Sequence, residues 1–420
     1  MWNTIRLIFK DTDLRKKFLY LFAILAVFRL AASVPLPNID HEVLRRFFED
    51  NQFLGLLNLF SGGGLSNVSI VMLGLGPYIT ASIIMQLLTM IFPRLKEIYQ
   101  EEGEAGRQRF NQYSRILTIP LSFIQGFSLL KILSRSGVLH FSNAQMVVSL
   151  IIVTAGAVFL MWLGELISEY SLGNGASLLI FAGIVAGLPT TLQQIQLSFD
   201  PSQVPELLAF AIIALITIAA VVVISEGERS IPVHYAKRVR GMKLYGGVST
   251  NLPLRVNQAG VIPIIFAVSI LLFPQMFANF FAGSSYAVLR GLSSAMNSFL
   301  TTTWLYGIFY FFLVFIFTYF YTAVTFDPAA ISQNLQRSGA FVPGIRPGPS
   351  TTEFLSRVVT RITLVGALFL GFIAVLPIVV QGFTGIQSLT VGGTALLIVV
   401  SVVIETAKQI QAQLSLRAYE

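Results

Sequence analysis

Ten runs of about 20 mostly apolar residues divide this chain, and no other feature restricts its fold as strongly. Wound as a helix at 1.5 Å per residue, such a run crosses the hydrocarbon of a bilayer and satisfies its own backbone N–H and C=O groups on the way. The runs cover residues 18–34, 73–92, 114–133, 147–167, 175–192, 206–225, 257–276, 304–325, 358–377 and 389–407. Hydrophobic residues make up 55% and charged residues 11% of the chain, against roughly 25% charged in a soluble domain. There is too little charge to clothe a water-facing surface, so the expected fold class is an all-α polytopic membrane protein with ten transmembrane helices.

The direction of the spans follows from the basic residues, which collect on the cytoplasmic face. Of the 28 Lys and Arg, 22 fall on the side that holds the N-terminus, five on the other, and Arg29 lies within the first run. Both termini are therefore expected in the cytoplasm. The first apolar run follows a basic opening but leads into nine more, which predicts an anchor and not a cleaved signal peptide. The positive charge is concentrated in long loops between spans two and three, six and seven, and eight and nine. Topology control needs only a few basic residues per loop; these loops also carry Gly, Pro, Tyr and amides, which suits a docking surface.

Several chemistries are excluded by what the sequence omits. It has no cysteine, so disulfides and thiolate sites are impossible. His41, His140 and His234 are too scattered to make a metal site, and no metal or cofactor is expected. There is no GxxxxGK[ST] loop for ATP and no GxSxG elbow, so the chain is not expected to be an enzyme. Ion-coupled carriers place ionisable groups at mid-bilayer. Here Glu165, Glu226, Glu405 and Lys408 sit near cytoplasmic span ends, and only Arg29 is deeper, in the outer half of the first span. Arg29 reads equally as a functional group or as a snorkelling, internally paired arginine.

What the spans do contain is Gly and Pro: Gly74, Gly76 and Pro77; Gly173 and Gly175; Gly260 and Pro263. Such breaks are tolerated where freed backbone groups face protein or a water-filled cavity, which implies a pathway through the bundle. Ahead of span two runs NLFSGGGLSNVSIV (Asn58 to Val71), too short and polar to cross. From composition it is either a re-entrant segment or an ordinary external loop.

Long blocks of the sequence, in order, carry a family resemblance: FRLAASVPLPNID (Phe28 to Asp40), LFSGGGLSNVSIVMLGLGPYITASIIMQLLT (Leu59 to Thr89), EGEAGRQRFNQYSR (Glu102 to Arg115) and FLMWLGELISEYSLGNGASLLIFAGIVAGLP (Phe159 to Pro189). IPVHYAKRVRG (Ile231 to Gly241), STNLPLRVNQAGVIPIIFA (Ser249 to Ala267), GAFVPGIRPG (Gly339 to Gly348) and TRITLVGALFLGFIAVLP (Thr360 to Pro377) continue it. With these blocks the chain resembles SecY, the channel subunit family of the bacterial Sec protein translocon. The resemblance implies two inverted, pseudo-symmetric five-helix halves, residues 1–193 and 206–420, joined by an external connection at 194–205. It also implies a pore between the halves, a seam that opens sideways into lipid, and residence in the bacterial plasma membrane.

The same resemblance assigns roles. A pore ring would be formed by Leu75, Ile79, Ile180, Val261, Ile265 and Ile398, branched apolar side chains that hold back water yet part around a passing chain. Residues 60–70, with Phe60, Gly62, Gly63, Gly64, Ser66 and Ile70, would be a plug closing the outer funnel. Gln86 and Asn257 would meet by hydrogen bonding across the lateral gate. Basic loops at about 227–256 and 327–357 would dock the SecA motor or the ribosome and its RNA phosphates through Tyr235, Lys237, Arg238, Arg240, Arg337, Arg346 and Arg357. SecE and SecG subunits, signal-sequence-bearing preproteins and membrane lipids complete the implied partners. Arg229-Ser230 departs from the family, where two basic residues often stand together. A secondary transporter of small solutes has a similar span count and broken helices, but the empty mid-bilayer and the basic loops weigh against it.

Overall fold

The computed structural model describes residues 12–37, 39–40, 43–44, 58, 61–100, 102–139, 142–170, 173–197, 204–235, 238–240, 243–245, 249–281, 286–384 and 390–417. Each of the ten apolar runs coincides with one helix: α1 (Thr12–Ser33), α2 (Gly76–Ile91), α4 (Gly103–Arg135), α5 (Asn143–Glu169), α6 (Gly175–Leu197), α7 (Val204–Glu226), α8 (Ile262–Phe281), α10 (Thr303–Thr325), α12 (Pro349–Thr384) and α13 (Thr390–Arg417). Three shorter helices, α3 (Pro93–Gln100), α9 (Ala287–Thr301) and α11 (Pro328–Arg337), lie between them. Several helices overrun their apolar stretch. α4 starts at Gly103 and α12 at Pro349, so the helix extends into the polar loop.

Among the described residues, five segments are each long and apolar enough to cross a bilayer alone: Gly103–Arg135, Asn143–Glu169, Trp304–Arg337, Pro349–Val380 and Ala395–Leu414. α2 and α3 pass the same test only when taken together, and they are bent by 117° at the break between them. The hinge is Phe92-Pro93, where proline has no N–H to continue the ladder. Apolar side chains facing away from the protein mark the lipid side, among them Leu19, Phe22 and Leu30 on α1 and Ile116 on α4.

Helix packing sorts the spans into two sets of five. α1 packs on α5 and α6, α2 on α4 and α5, α4 on α5, and α5 on α6. In the other set α7 packs on α12 and α13, α8 on α10, α10 on α12, and α12 on α13. The sets touch where α8 meets α2 and α4, and where α13 meets α6. Inside them, small polar residues return their hydroxyls to their own helix: Thr118 Oγ1 donates to the Ser114 carbonyl and Ser122 Oγ to the Thr118 carbonyl, both buried. This removes the cost of burying the hydroxyl and leaves a thin helix face for close packing.

The loops between α7 and α8 and between α11 and α12 hold strands that the sequence reading did not foresee. β1 (Glu228–Tyr235) pairs antiparallel with β4 (Ser249–Arg255), from Glu228 opposite Arg255 to His234 opposite Ser249. Between them β2 (Arg238–Arg240) pairs with β3 (Lys243–Tyr245). β5 (Ala340–Phe341), from the other loop, adds to the free edge of β1, so the sheet order is β4-β1-β5. Ile231, Val233, Leu254, Ala340, Val342, Leu355, Val358 and Val359 form a separate apolar core beneath it. The two basic loops are thus one platform.

Candidate functional site

The six residues expected to form the pore ring come from four places in the chain and meet in one apolar cluster. Leu75 precedes α2 and Ile79 lies in its first turn; Val261 precedes α8 and Ile265 lies in its first turn. Ile180 comes from α6 and Ile398 from α13. All six are at most 8% exposed. Among the described residues no Asp, Glu, Lys or Arg is buried, and the cluster holds one fully buried hydroxyl without a protein partner, that of Tyr310.

The Gly/Pro breaks act differently from the expectation of interrupted spans. Gly76 and Gly175 open α2 and α6, and Gly260 stands just before α8. They terminate the backbone ahead of a helix and do not interrupt one. Of the residues expected in the ring, α2 and α8 each hold one just before and one within their first turn.

Residues 61–75 form a run of turns packed inside the first set of helices. Gly64 N–H donates to the Ser61 carbonyl, Ser69 N–H to the Gly64 carbonyl and Val68 N–H to the Leu65 carbonyl, which coils the segment on itself. Its far end is stitched to the residues after α1: Ile70 N–H donates to the Val34 carbonyl and Leu36 N–H to the Val68 carbonyl, both at 3.0 Å. Leu65, Val68 and Met72 are buried with Leu130 and Leu133 of α4 and Leu150 and Val153 of α5. Gly156 on α5 makes room, since a Cβ there would stand 2.0 Å from the Ile70 carbonyl oxygen. Of the expected plug residues, Gly62, Gly63, Gly64, Ser66 and Ile70 belong to this segment, while Phe60 lies outside the described residues.

The expected hydrogen bond between Gln86 and Asn257 is not made. Gln86 Nε2 donates to Ser82 Oγ at 3.3 Å on its own helix, and Asn257 Nδ2 donates to the Gly260 carbonyl at 3.1 Å in its own turn. Gln86 Oε1 and Asn257 Oδ1 are buried without a protein partner. Each amide satisfies its donor locally because an in-helix or in-turn partner is nearer than one across a seam. α2 and α8 are nevertheless in contact.

The platform gathers the expected docking residues. Tyr235 ends β1 opposite Ala340, Arg238 pairs with Tyr245 and Arg240 with Lys243 along β2 and β3, and Arg337 closes α11. Lys237 lies outside the described residues. Arg346 is exposed in the turn between β5 and α12, its carbonyl accepting from Thr351 Oγ1 at 2.9 Å and the turn bounded by Gly344 at φ 80° and Gly348 at φ 100°. Arg357 already holds Glu353 at 2.6 Å one helical turn away, an exposed pair that an acidic or phosphate partner can exchange at little cost. α11 is anchored by Asp327 Oδ1, which accepts from the Ala329 and Ala330 N–H groups. Sequence reading placed these arginines on two loops; the strand pairing that unites them rests on Ala340 and Phe341, a two-residue strand too short to signal itself.

Two ion pairs close the same end of the bundle. Arg115 Nε donates to Glu165 Oε1 at 2.6 Å between α4 and α5, and Lys408 Nζ to Glu226 Oε1 at 2.9 Å between α13 and α7. Of the three carboxylates near cytoplasmic span ends, Glu165 and Glu226 are thus tied to basic neighbours.

Comparison with known proteins agrees with this architecture. The sequence model of the SecY family matches residues 69–407. The chain is 42% identical to the protein translocase subunit SecY of Streptomyces coelicolor, with 98% of this chain and 97% of the relative covered. It is 40% identical to that of Thermotoga maritima, with 100% and 97% covered. A solved protein-conducting channel superimposes with a TM-score of 0.63 over 94% of this chain and 91% of that one, at 19% identity. A structure concerned with how the SecY plug domain stabilises the closed state gives 0.64 at 19% identity, again over 94% and 91%. With the ten helices and the two sets of five in place, the family match over most of the length settles the assignment: this chain is a member of the SecY family of protein translocase channel subunits.

Proposed function

We propose that this subunit conducts unfolded preproteins by parting the waist formed by Leu75, Ile79, Ile180, Val261, Ile265 and Ile398. The observation that carries the proposal is the convergence of side chains from both five-helix sets in one apolar cluster, with no Asp, Glu, Lys or Arg buried among the described residues. An apolar constriction sheds water and so blocks ions, while its side chains rearrange around a chain of any sequence. The waist belongs equally to two bodies, residues 1–193 and 206–420, joined through 194–205, so their separation opens it. Turns 61–70 act as the plug on the outer side, and the α2–α8 contact bearing Gln86 and Asn257 acts as the lateral gate that releases membrane segments into lipid. The unpaired acceptors on those two amides leave the gate poised to take a donor from an arriving segment.

Energy comes from outside the chain, which has no catalytic step of its own. The platform with Tyr235, Lys237, Arg238, Arg240, Arg337, Arg346 and Arg357 receives the SecA motor or the ribosome, and SecE and SecG complete the complex. The protein resides in the bacterial plasma membrane with both termini in the cytoplasm. Reconstitution into vesicles with purified motor and a radiolabelled precursor tests the proposal: protease-protected precursor inside the vesicles is the expected result. Uptake of small solutes without a motor, with no protected precursor, would instead favour a transporter.

A further inference from the structure

We propose that Arg29 is the latch of the plug: its guanidinium, bonded to the Gly62 carbonyl, holds the first turn of the segment in the closed position. This rests on reading residues 61–70 as the plug. Arg29 Nη1 donates to the Gly62 carbonyl oxygen at 2.8 Å, from α1 to a residue 33 positions later. It is the only basic residue within the first apolar run from residue 18 to 34. An arginine in a span is costly, and here it is spent on a carbonyl that belongs to no helix.

Three contacts converge on Gly62. On one side stands the Phe28 ring, so close that a Cβ on Gly62 would lie 2.3 Å from Phe28 Cζ. On the other is Gly183 of α6, where a Cβ would lie 2.3 Å from Gly62 Cα. Gly62 has φ 66°, the left-handed region, which sets the direction of its carbonyl. Gly63 follows beneath the guanidinium, with its Cβ position 3.7 Å from Arg29 Nη1. The backbone of the segment is therefore seated directly on the backbone of α6 and tied down by one side chain of α1.

The two ends of the segment are held in different ways. Residues 68–70 are joined to residues 34–36 by backbone hydrogen bonds that substitution cannot remove. The glycine turn at 62–64 has a side-chain tie to α1, and a single side chain can let go. A guanidinium is well matched to such a tie, because it stays charged, keeps its planar fork and has donors to spare for headgroups or water, since Arg29 is exposed on its other side. Release of the plug then begins at Gly62 and hinges about residues 68–70.

The test uses the complete translocon complex in planar bilayers, with no precursor, comparing Arg29→Leu, Arg29→Lys, Gly183→Ala and a deletion of residues 61–67. A hydrogen bond to a charged group is strong enough that Arg29→Leu should raise resting open probability about tenfold. Arg29→Lys, which keeps a donor but loses the fork, should raise it less. Gly183→Ala, which leaves Arg29 intact but displaces Gly62, should leak in the same direction. Because the chain has no cysteine, a spin label on Asn67→Cys reports the segment alone, and it should become more mobile in Arg29→Leu. Background conductance and an immobile label in Arg29→Leu, beside a leaking deletion, would overturn the latch and leave the plug standing. A deletion that seals as well as the parent would overturn both. If Arg29→Leu fails to assemble, Arg29→Lys carrying the label on Asn67→Cys decides: leak with a more mobile label supports the latch, a normal seal with an immobile label refutes it.

Discussion

Trimming the waist offers a quantitative test of an apolar seal. Ile79 and Ile265 are 8% and 4% exposed, and they come from opposite five-helix sets, so Ile79→Ala and Ile265→Ala thin the constriction from both sides. Each substitution deletes three carbons, worth about 0.8 kcal/mol apiece, or about 2.4 kcal/mol of apolar contact that the sealed state holds and a water-filled state lacks. If the closed state alone enjoys that contact, the wetted population rises roughly 50-fold per site. The double variant should exceed either single one, but by less than the product, because neighbouring residues share the cavity. Single-channel recording at rest reads this directly. The control is Leu370→Ala, equally buried at 1% exposure in the same cluster but carried by α12, which gives nothing to the waist. Leu370→Ala removes a similar area and should destabilise the fold without raising conductance. Equal leak from the control, or a tight double variant, would refute the reasoning, since the seal would then depend on general packing or on another element.

The remaining predictions concern the platform, the gate and the cytoplasmic ion pairs. Arg346→Glu should abolish most motor- or ribosome-driven transport while membrane insertion and abundance stay normal; co-sedimentation with each partner checks it, and undiminished binding would count against the docking role. Gln86→Leu removes a buried acceptor without a protein partner and should stabilise the resting gate by about 1 kcal/mol, seen as a lower resting conductance and slower precursor uptake; a leakier channel would contradict it. Glu165→Gln loosens the tie between α4 and α5 by about 1 kcal/mol, discounted because the Arg115 side chain is 44% exposed. Thermal unfolding of the detergent-solubilised complex should register the loss, and an unchanged midpoint would show the pair to be idle.

Legibility of the sequence followed the physics of each part. All ten helices could be read from composition because a bilayer demands long apolar runs, and the match from run to helix is one to one. Helix ends were less legible: α4 and α12 run on into polar loops, where hydropathy falls but the backbone has no reason to stop. The waist could not be read from its residues alone, since Leu and Ile occur on every face of every span. The resemblance implied its members, and all six lie in one large apolar cluster that also holds many residues outside the expected ring. The platform was missed for a different reason. Its strands alternate only weakly, and the pairing of β1 with β5 spans about a hundred residues of chain between Tyr235 and Ala340, a non-local contact that leaves no local pattern. The Gln86–Asn257 bond failed because a nearer partner satisfies each donor, a competition invisible to a reading that only asks which helices carry polar groups.

The platform and the waist are neighbours in the chain, and this bears on how an external motor can act on an apolar seal. β4 ends at Arg255, Val256 donates its N–H to the Gly227 carbonyl at 2.8 Å, and Val261 and Ile265, expected members of the waist and buried in the central apolar cluster, follow at once. The same Val256 carbonyl presses on Gly366 of α12, where a Cβ would stand 2.6 Å away. One short segment is therefore clamped to the end of α7 and to α12, with the strand β4 on one side and Val261 and Ile265 on the other. Force applied to the hairpin reaches Val261 through a backbone that has little room to yield between these clamps. The start of α8 also carries the Asn257 turn, so movement of this segment alters the waist and the α2–α8 seam together. On the proposed function, in which the pore widens and the side door loosens in the same event, this one link couples the two without a charged relay through the membrane.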